Sequence, residues 1–354
     1  MVHAREVTLS WPGKQRGLAA AETPPRRPSR AWTTGETTGE TTGGGDRDGP
    51  GDGPGDGRLL EGDNLACLRG LAKDGGESVT LAYLDPPFFT NREHLAYLRK
   101  AGAPRGAARK RVPAFDDRWP DLASWLEALG ARLSATRDLL APHGSVVVHV
   151  DPKTSHYVRV LGDEIFGAEA FASEIVWRYR RWPSKTPNFQ RVHDVLLRWK
   201  RDPRVVGPWN QPYEPLAAST LATWGTTKQR AVFAKDGRRA RSSSTSEPTA
   251  GVPMGDVWDI GVIAPVARER TGYPSQKPEA LIERLLGALT SPGDVVLDPY
   301  AGSGTTLAVA SKMGRSFIGI DASAVAIDTI RARFEAMGQG LEECAHVRLG
   351  AATA

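Results

Sequence analysis

Residues 79–88 read VTLAYLDPPF, a short apolar run that ends in a carboxylate and two prolines. A run of this length with β-branched and aromatic members is typical of a buried strand in a parallel sheet. Asp85 would then lie at the carboxyl end of the strand, the edge at which open α/β sheets bind their ligands. Pro86 and Pro87 fix φ and stiffen the turn, so the sequence predicts a rigid corner with a functional carboxylate.

The residues of this corner suit chemistry on an exocyclic amino group of adenine or cytosine. The lone pair of such a nitrogen is delocalised into the ring, so the nitrogen has to be held in a more tetrahedral state before it can attack. The Asp85 carboxylate and the Pro86 carbonyl would each accept one N–H bond and aim the lone pair. Phe88 offers a face on which an extruded base can stack. A strand-end turn with an accidental Pro-Pro is the alternative interpretation of these four residues taken alone.

A second candidate site follows much later, where residues 297–306 read LDPYAGSGTT. The pattern is a strand, a glycine turn and a helix. Glycines let a ligand approach the backbone closely, and the helix N-terminus favours an anionic or polar group. The next predicted strand ends at Asp321, where an acidic residue suits a pair of ribose hydroxyls. An ordinary turn between a strand and a helix is the alternative interpretation of the glycines.

Three ligands could use this glycine turn: a dinucleotide, a nucleotide phosphate or S-adenosylmethionine. The dinucleotide fingerprint needs a third glycine, and Leu307 stands in its place. A phosphate loop needs a Gly-Lys-Ser/Thr ending, which the turn lacks. Asp298 would repel phosphates, but it suits the positively charged methionine amino group. S-adenosylmethionine therefore fits best.

Strands and helices alternate from residue 58 onward, which predicts an α/β fold with a doubly wound, mostly parallel sheet. The predicted strands cover 79–84, 145–150, 174–179, 192–199, 294–297 and 316–320. The predicted helices cover 65–73, 121–140, 153–166, 277–289, 305–313 and 323–337. Residues 92–118 are predicted to be an irregular basic loop, which either closes over the site or is disordered. We expect four regions: a disordered tail at 1–57, one half of the domain at 58–199, an insertion at 200–255 and the other half at 256–354.

The net charge of +5 fits a polyanionic partner without requiring one. The charge is concentrated, because residues 174–248 hold fifteen Lys and Arg against six Asp and Glu, a net charge of +9. Cys67 and Cys344 are too few for a disulfide framework or a zinc site, so no metal is expected. No long apolar window and no apolar leader occur, and we expect a cytoplasmic protein without membrane contact.

The two motifs together resemble those of the amino-group DNA methyltransferases, which act on adenine N6 or cytosine N4. These enzymes pair Asp-Pro-Pro-aromatic with Asp-Pro-aromatic-x-Gly-x-Gly, here residues 85–88 and 298–304. The catalytic motif comes first, as in the circularly permuted β group, where a target-recognition region separates the two motifs. Phe88 and Tyr300 stand where the family usually has Tyr and Phe. Further matches within residues 58–335 are 61–63 (EGD), 174–177 (EIVW), 193–194 (HD), 276–279 (QKPE) and 317–321 (FIGID).

The resemblance implies a site-specific DNA methyltransferase that uses S-adenosylmethionine and attacks directly from a flipped base in double-stranded DNA. The implied catalytic residues are Asp85, Pro86, Pro87 and Phe88. The implied cofactor residues are Asp63, Gln276, Lys277, Pro278, Asp298, Ala301, Gly302, Ser303, Gly304, Thr305 and Asp321, with 276–278 closing over the methionine end. The basic region predicts DNA contacts from Arg178, Arg180, Arg181, Lys185, Lys228, Arg230, Arg238 and Arg239. The family also allows a restriction endonuclease counterpart and a homodimer.

Adenine N6 is the favoured target, because Asp in the first catalytic position is commoner among adenine enzymes, a family analogy. Cytosine N4 is the alternative. A cytosine-C5 enzyme is excluded because its nucleophilic cysteine typically follows a proline, and neither cysteine here does. An RNA amino-methyltransferase and an inactive DNA-binding homologue are more distant alternatives. The inserted basic region argues against the first, and the intact Asp85 and glycine turn argue against the second.

Overall fold

The computed structural model describes residues 9–11, 14, 30–34, 56–73, 78–98, 110–181, 183, 185 and 187–343. Its strands are β1 (Arg30–Thr34), β2 (Gly57–Glu61), β3 (Val79–Leu84), β4 (Glu93–Leu98), β5 (Lys110–Asp116), β6 (Leu140–Val150), β7 (Phe171–Arg178), β8 (His193–Lys200), β9 (Tyr213–Glu214), β10 (Thr227–Phe233), β11 (Arg239–Pro248), β12 (Val252–Pro253), β13 (Val257–Asp259), β14 (Val295–Asp298), β15 (Ser316–Asp321) and β16 (Leu341–Glu343). Its helices are α1 (Asn64–Lys73), α2 (Leu122–Leu139), α3 (Ser155–Phe166), α4 (Ala218–Trp224), α5 (Glu279–Leu289), α6 (Thr305–Lys312) and α7 (Ala324–Ala336).

Ten of these strands form one sheet, in the order β13-β7-β8-β6-β3-β14-β15-β2-β1-β16. The central strands β6, β3, β14, β15 and β2 are parallel, and β13 is parallel to β7. Strand β8 runs antiparallel to both of its neighbours, as does β1. Helices α1, α2 and α3 pack together on one face, and α5, α6 and α7 cover the other. The predicted doubly wound, mostly parallel α/β sheet is confirmed.

Burial on both faces explains the apolar runs in the sequence. Side chains of successive strand residues point to opposite faces, so a central parallel strand has to be apolar throughout. Every residue of β3 is buried. On one face, Ala82, Leu297 and Ile318 belong to the hydrophobic cluster that α1, α2 and α3 cover. On the other, Phe317 packs against Phe334 of α7, with ring centres 5.1 Å apart.

The region 92–118 differs from the irregular loop that was expected. Its described residues include an antiparallel hairpin of β4 and β5, in which Glu93 lies opposite Asp116, while residues 99–109 lie outside the described residues. The expectation was wrong because abundant basic residues obscured the short apolar run 95–98 (LAYL), in which Ala96 is fully buried. Ala96 packs in a small cluster with Tyr273 and Ala326, so the hairpin rests against α7.

Two further features differ from the sequence predictions. Within the expected tail at 1–57, Arg30–Thr34 forms β1, which hydrogen bonds to β2 and β16. Strand pairing with residues far along the chain orders these five residues, and composition gives no signal of it. Apart from residues 9–11, 14, 56 and Gly57, the remainder of the expected tail lies outside the described residues. Helix α5 begins at Glu279 rather than Lys277, because Pro278 takes an extended conformation as its N-cap.

Residues Trp209–Gly255 form a compact unit of their own. In this unit β10 pairs with β11, and β9 pairs with β12, all antiparallel. The other unit comprises residues 1–208 and 256–354 and contains the ten-stranded sheet. Across the part of the chain that the structure describes, no helix is both long and apolar enough to cross a membrane.

Candidate active site

The two predicted motifs meet at one edge of the sheet. Strands β3 and β14 are parallel neighbours, with Ala82 opposite Leu297. Asp85 and Asp298 therefore lie at the carboxyl ends of adjacent strands. Asp321 ends β15, the neighbour on the other side of β14. All three carboxylates line one cavity of about 650 Å³.

The cavity brings most of the predicted site residues together. Its lining includes all four predicted catalytic residues and every predicted cofactor residue except Pro278 and Gly304. Pro86 is buried, and the Pro87 carbonyl accepts a hydrogen bond of 2.8 Å from the Trp125 indole. The Thr305 hydroxyl donates to the Lys277 carbonyl at 3.1 Å, which ties the glycine turn to segment 276–278.

Asp85 is held by an ammonium group from a distant part of the chain. Lys277 Nζ donates to Asp85 Oδ2, and the two side chains are only 9% and 18% exposed. The same Nζ donates to the Ser275 carbonyl at 3.3 Å and lies 5.0 Å from the centre of the Phe88 ring. A charge-assisted hydrogen bond in this setting fixes the orientation of the carboxylate. Asp85 Oδ1 accepts no hydrogen bond from the described residues, so its lone pairs are available to a ligand in the cavity that Asp85 lines.

A buried carboxylate that the sequence prediction missed fixes the turn after the catalytic motif. Asp117 is fully buried and accepts hydrogen bonds from Phe89 N (3.2 Å), Thr90 N (2.7 Å), Thr90 Oγ1 (2.6 Å) and Trp119 Nε1 (3.0 Å). Phe89 and Asn91 have φ of 56° and 60°, a left-handed conformation that costs an L residue roughly 1–3 kcal/mol. The four hydrogen bonds to Asp117 offset that cost. Nothing local in the sequence distinguishes Asp117 from the exposed acid before it.

A buried chain of hydrogen bonds lies behind Phe88. Tyr83 Oη and His149 Nδ1 are 2.7 Å apart, and His149 Nε2 lies 3.3 Å from Asp194 Oδ2. Asp194 Oδ1 accepts a hydrogen bond of 2.9 Å from the Tyr179 hydroxyl. Burial lowers the pKa of His149, whose ring centre is 5.6 Å from that of Phe88. The chain therefore connects the catalytic corner to the end of β7, and the histidine within the apolar run VVVHV was its signal in the sequence.

The glycine turn depends on two residues in the left-handed region, Gly302 (φ 51°) and Gly304 (φ 72°). A Cβ on Gly304 would lie 2.8 Å from Ile330 Cγ1, so α7 and the turn can approach closely only without a side chain there. Asp321 braces the turn, because its Oδ2 accepts from Gly302 N and its Oδ1 from Ser323 N, both at 2.8 Å. A carboxylate oxygen has a second lone pair, so Asp321 can still accept from a ligand.

The cavity is acidic on the side of this turn. Burial, together with the smaller effect of the nearby charges of Asp85 and Asp321, raises the pKa of Asp298 to about 7. Burial also raises the pKa of Asp321 to about 6. The Tyr300 N–H donates to Asp298 Oδ1 at 3.0 Å, which offsets part of the cost of ionisation. Buried acids with raised pKa values favour a ligand that carries positive charge.

The side chains of two predicted cofactor residues make hydrogen bonds or ion pairs within the protein. Gln276 Oε1 accepts from Thr271 N and Oγ1, each at 2.9 Å, and its Nε2 donates to the Glu269 carbonyl at 2.6 Å. Asp63 caps the first turn of α1 and pairs with Arg132 at 3.0 Å. Both side chains line the cavity, and they also hold its walls in place.

The predicted DNA-binding residues fall in both units. Arg181 lines the cavity, and Arg180 and Lys185 are exposed. Arg178 makes a two-point ion pair with Asp259, with both distances 2.5 Å. The other four predicted residues belong to the unit Trp209–Gly255. Lys228 pairs with Glu247 at 3.4 Å, and Arg238 pairs with Asp236 at 3.7 Å. Arg230 lies in β10 and Arg239 in β11.

Comparison with known proteins finds a matching family model and related enzymes. Residues 79–332 match the N6/N4 methyltransferase family model, which is described as "DNA methylase". The type II methyltransferase M.EcaI of Enterobacter cloacae is 27% identical over 77% of this chain and 68% of its own. M.HpaI of Haemophilus parainfluenzae is 28% identical over 58% of this chain and 57% of its own, so the chain spans little more than half of that relative.

A solved structure has the same fold. The PvuII DNA methyltransferase, which is described as cytosine-N4-specific, superimposes with a TM-score of 0.51 over 80% of this chain and 87% of its own. The two sequences are 17% identical, so the likeness concerns the fold alone.

The raised pKa values predict that the protein without ligands loses stability as pH rises. In the unfolded chain Asp298 and Asp321 titrate near 3.8, whereas in the folded protein their pKa values are about 7 and about 6. The folded state therefore binds the extra protons, and the stability that they contribute is full below pH 4 and lost as pH rises through 6 to 7. For Asp298 the rise in pKa from 3.8 to about 7 corresponds to as much as ~4 kcal/mol.

Guanidinium unfolding at pH 5 and pH 8 measures this loss of stability. Asp298→Asn should show a clearly smaller difference between the two pH values, because the amide does not titrate. Asp138→Asn, a change of an exposed acid on α2, is the control and should behave as wild type. Equal pH dependence in wild type and Asp298→Asn would show that Asp298 is ionised in the folded protein at low pH.

Proposed function

Because this chain belongs to the family of amino-group DNA methyltransferases, which modify adenine N6 or cytosine N4, we propose that it transfers a methyl group from S-adenosylmethionine to adenine N6 in duplex DNA. One observation carries the proposal: a single cavity joins Asp85 of the catalytic corner to the glycine turn at Gly302. The methyl donor and the amino group that receives it have to meet in one such space, shielded from water.

The glycine-turn side of the cavity fits S-adenosylmethionine. Bound there, the cofactor supplies a methyl group activated by a positively charged sulfur. Asp298, with its raised pKa, gains a counterion from the methionine ammonium group. Asp321 offers lone pairs to the ribose hydroxyls, and the backbone of residues 301–303 offers a close approach. We assign the remaining cofactor contacts to Asp63, Gln276, Lys277, Pro278, Gly304 and Thr305.

The catalytic corner suits a neutral amino group. Asp85 Oδ1 accepts one N–H of the target nitrogen, and the Pro86 carbonyl accepts the other, which draws the lone pair out of conjugation. When the nitrogen gains the methyl carbon it has to lose a proton, and a carboxylate in contact with it is a suitable acceptor. Phe88 packs on the extruded base. Pro87 stiffens the turn, so the two acceptors keep their separation.

The choice of adenine rests on Asp85 as the first residue of the catalytic motif, by analogy across the family. Cytosine N4 is the second candidate, because the family model also covers it and it is the described target of the PvuII enzyme that shares this fold. Both bases present an exocyclic amino group to the same two acceptors. The contacts that separate them therefore lie with the ring atoms of the base.

For the domain organisation, we propose that residues 58–199 and 256–354 are the catalytic and cofactor-binding halves and that 200–255 recognises the target sequence. The net charge of +9 over residues 174–248 supports this assignment. Arg178, Arg180, Arg181, Lys185, Lys228, Arg230, Arg238 and Arg239 are the proposed DNA contacts. Arg178 would have to share its guanidinium with Asp259.

The type II designation of the relatives supports a restriction endonuclease counterpart for this chain. A nuclease gene beside this one, whose product cuts the same sequence only when it is unmethylated, would test that partner. Analytical ultracentrifugation with and without DNA would test whether the protein forms a homodimer. A protein mass equal to that of one chain under both conditions would show that it does not.

Replacement of Asp85 should abolish methyl transfer. We expect Asp85→Ala and the isosteric Asp85→Asn to lose at least about 100-fold in rate, because an interaction made at the reacting nitrogen is removed. Transfer of a radiolabelled methyl group to DNA measures the rate. S-adenosylmethionine binding by calorimetry should change little, because Asp298 and the glycine turn are untouched.

Asp138→Asn serves again as a surface control. Thermal unfolding of the Asp85 variants tests whether the fold remains stable when Lys277 loses its partner. Activity within a few-fold of wild type in a folded Asp85 variant would refute the catalytic assignment.

The methylated base can be identified directly. DNA from a host that lacks other methylation, grown with and without this gene, is digested to nucleosides and analysed by mass spectrometry. We expect N6-methyladenine to rise with the wild type and not with Asp85→Asn. A rise of N4-methylcytosine instead would replace the adenine assignment with the cytosine one, and sequencing of the methylated positions gives the recognition site.

The basic residues near the cavity should make DNA affinity depend on salt. Each phosphate contact contributes about 0.9 to the slope of log affinity against log salt concentration. The double variant Arg180→Ala/Lys185→Ala should reduce that slope in a fluorescence-anisotropy titration. Lys73→Ala/Arg331→Ala removes two exposed charges from α1 and α7 and is the matched control. An equal slope in both variants would contradict the assigned contacts.

A further inference from the structure

The segment between β7 and β8 leaves the cavity wall and returns to it. Tyr179 N donates to the Val192 carbonyl at 2.8 Å and closes the base of this segment. Arg181 near its start and Arg191 near its end both line the cavity that contains Asp85. The segment 180–191, called the mouth loop below, is therefore attached to the cavity at both ends.

Phe189 in the mouth loop is 97% exposed, the largest exposed fraction among the large apolar side chains in the described part of the chain. Single exposed apolar residues are common, but the setting of this one is specific. The loop contains Arg180, Arg181, Lys185 and Arg191 and no acidic residue. Asn188 Oδ1 accepts the Phe189 N–H at 2.8 Å, which fixes the backbone that carries the ring.

The cations at the base of the loop are held in place. Arg181 donates to the Tyr179 hydroxyl at 3.2 Å and lies 5.1 Å from the centre of its ring. Arg191 lies 3.6 Å from Asp151, a largely buried carboxylate at the end of β6. Phe189 is two residues from Arg191, so their Cα atoms are at most ~7 Å apart. The mouth loop therefore carries an apolar ring two residues away from a cation that lines the cavity which an extruded base would enter.

We propose that Phe189 is a wedge that enters the duplex beside the target base and fills the gap left when that base moves into the cavity. The inference rests on the proposed function, and it names a positioning residue that the catalytic and cofactor motifs do not contain. Extrusion breaks stacking on both sides of the target base, and an inserted aromatic ring restores part of it. Arg180, Arg181 and Lys185 bind the phosphates on either side, which sets the depth of insertion.

The wedge predicts a defect that depends on how the target base is paired. Stacking of one base on an aromatic ring is worth roughly 1–3 kcal/mol, so Phe189→Ala should lose about 10- to 100-fold in kcat/KM on a matched duplex that carries the mapped site. On the same duplex with a mismatch at the target base, which is already partly unstacked, the loss should shrink to a few-fold. Phe189→Trp should recover most of the activity.

Val266→Ala, a change of another apolar side chain that is 90% exposed, is the control and should match wild type on both duplexes. Since Phe189 contributes nothing to the core, thermal unfolding of Phe189→Ala should equal that of wild type. An equal loss on matched and mismatched duplexes would overturn the wedge and assign Phe189 to the pocket itself. If Phe189→Ala methylates both duplexes as wild type does but no longer self-associates in sedimentation experiments, the wedge is overturned and Phe189 is a contact between protein chains. If wild type methylates neither duplex, the proposed function fails, not the wedge alone.

Discussion

The parallel pairing of β3 with β14 is the constraint on which the site depends. Asp85 and Asp298 are far apart in the chain, and only this pairing puts the strand ends that carry them side by side. A slip of one residue would turn every side chain of one strand to the opposite face. Both faces are packed with apolar side chains, so the core resists that slip. The catalytic geometry is therefore set by the same burial that stabilises the sheet.

The sequence predicted the parts of the fold that local pattern determines. Buried strands such as β3 and β6 and helices such as α2 follow from apolar spacing, because each element must bury one face or both. The motif residues could also be predicted, since prolines and glycines act on their own backbone. The hairpin of β4 and β5 was missed because its apolar run is short and charged residues surround it. Strand β1 was missed because its order comes from partners that are distant in sequence.

Contacts between distant residues account for what the sequence could not predict in the site. Lys277 belongs to a segment that was expected to close over the cofactor, and the structure adds that its ammonium binds Asp85. Which of several acids a lysine meets depends on how α5 and β3 pack, and no spacing in the sequence encodes that. The role of Asp117 could not be predicted for the same reason. In the sequence it resembles its neighbour Asp116, but Asp117 is fully buried with four hydrogen bonds, whereas Asp116 is exposed. Its function comes entirely from the left-handed turn that it encloses.

The pairing of Lys277 with Asp85 divides the cavity into two electrostatic environments. Three of the carboxylates that line it lie at the ends of β3, β14 and β15, and the ammonium group of Lys277 binds only the one on β3. Asp298 and Asp321 keep raised pKa values, so a cationic ligand gains most by binding on their side and displacing a proton there. Asp85, already balanced by Lys277, has little attraction for a second cation and keeps Oδ1 for a neutral amino group. If Lys277 did not bind Asp85, all three acids would compete for the same positive charge. The ion pair thus directs the two reactants to different strand ends within one cavity before either makes a specific contact.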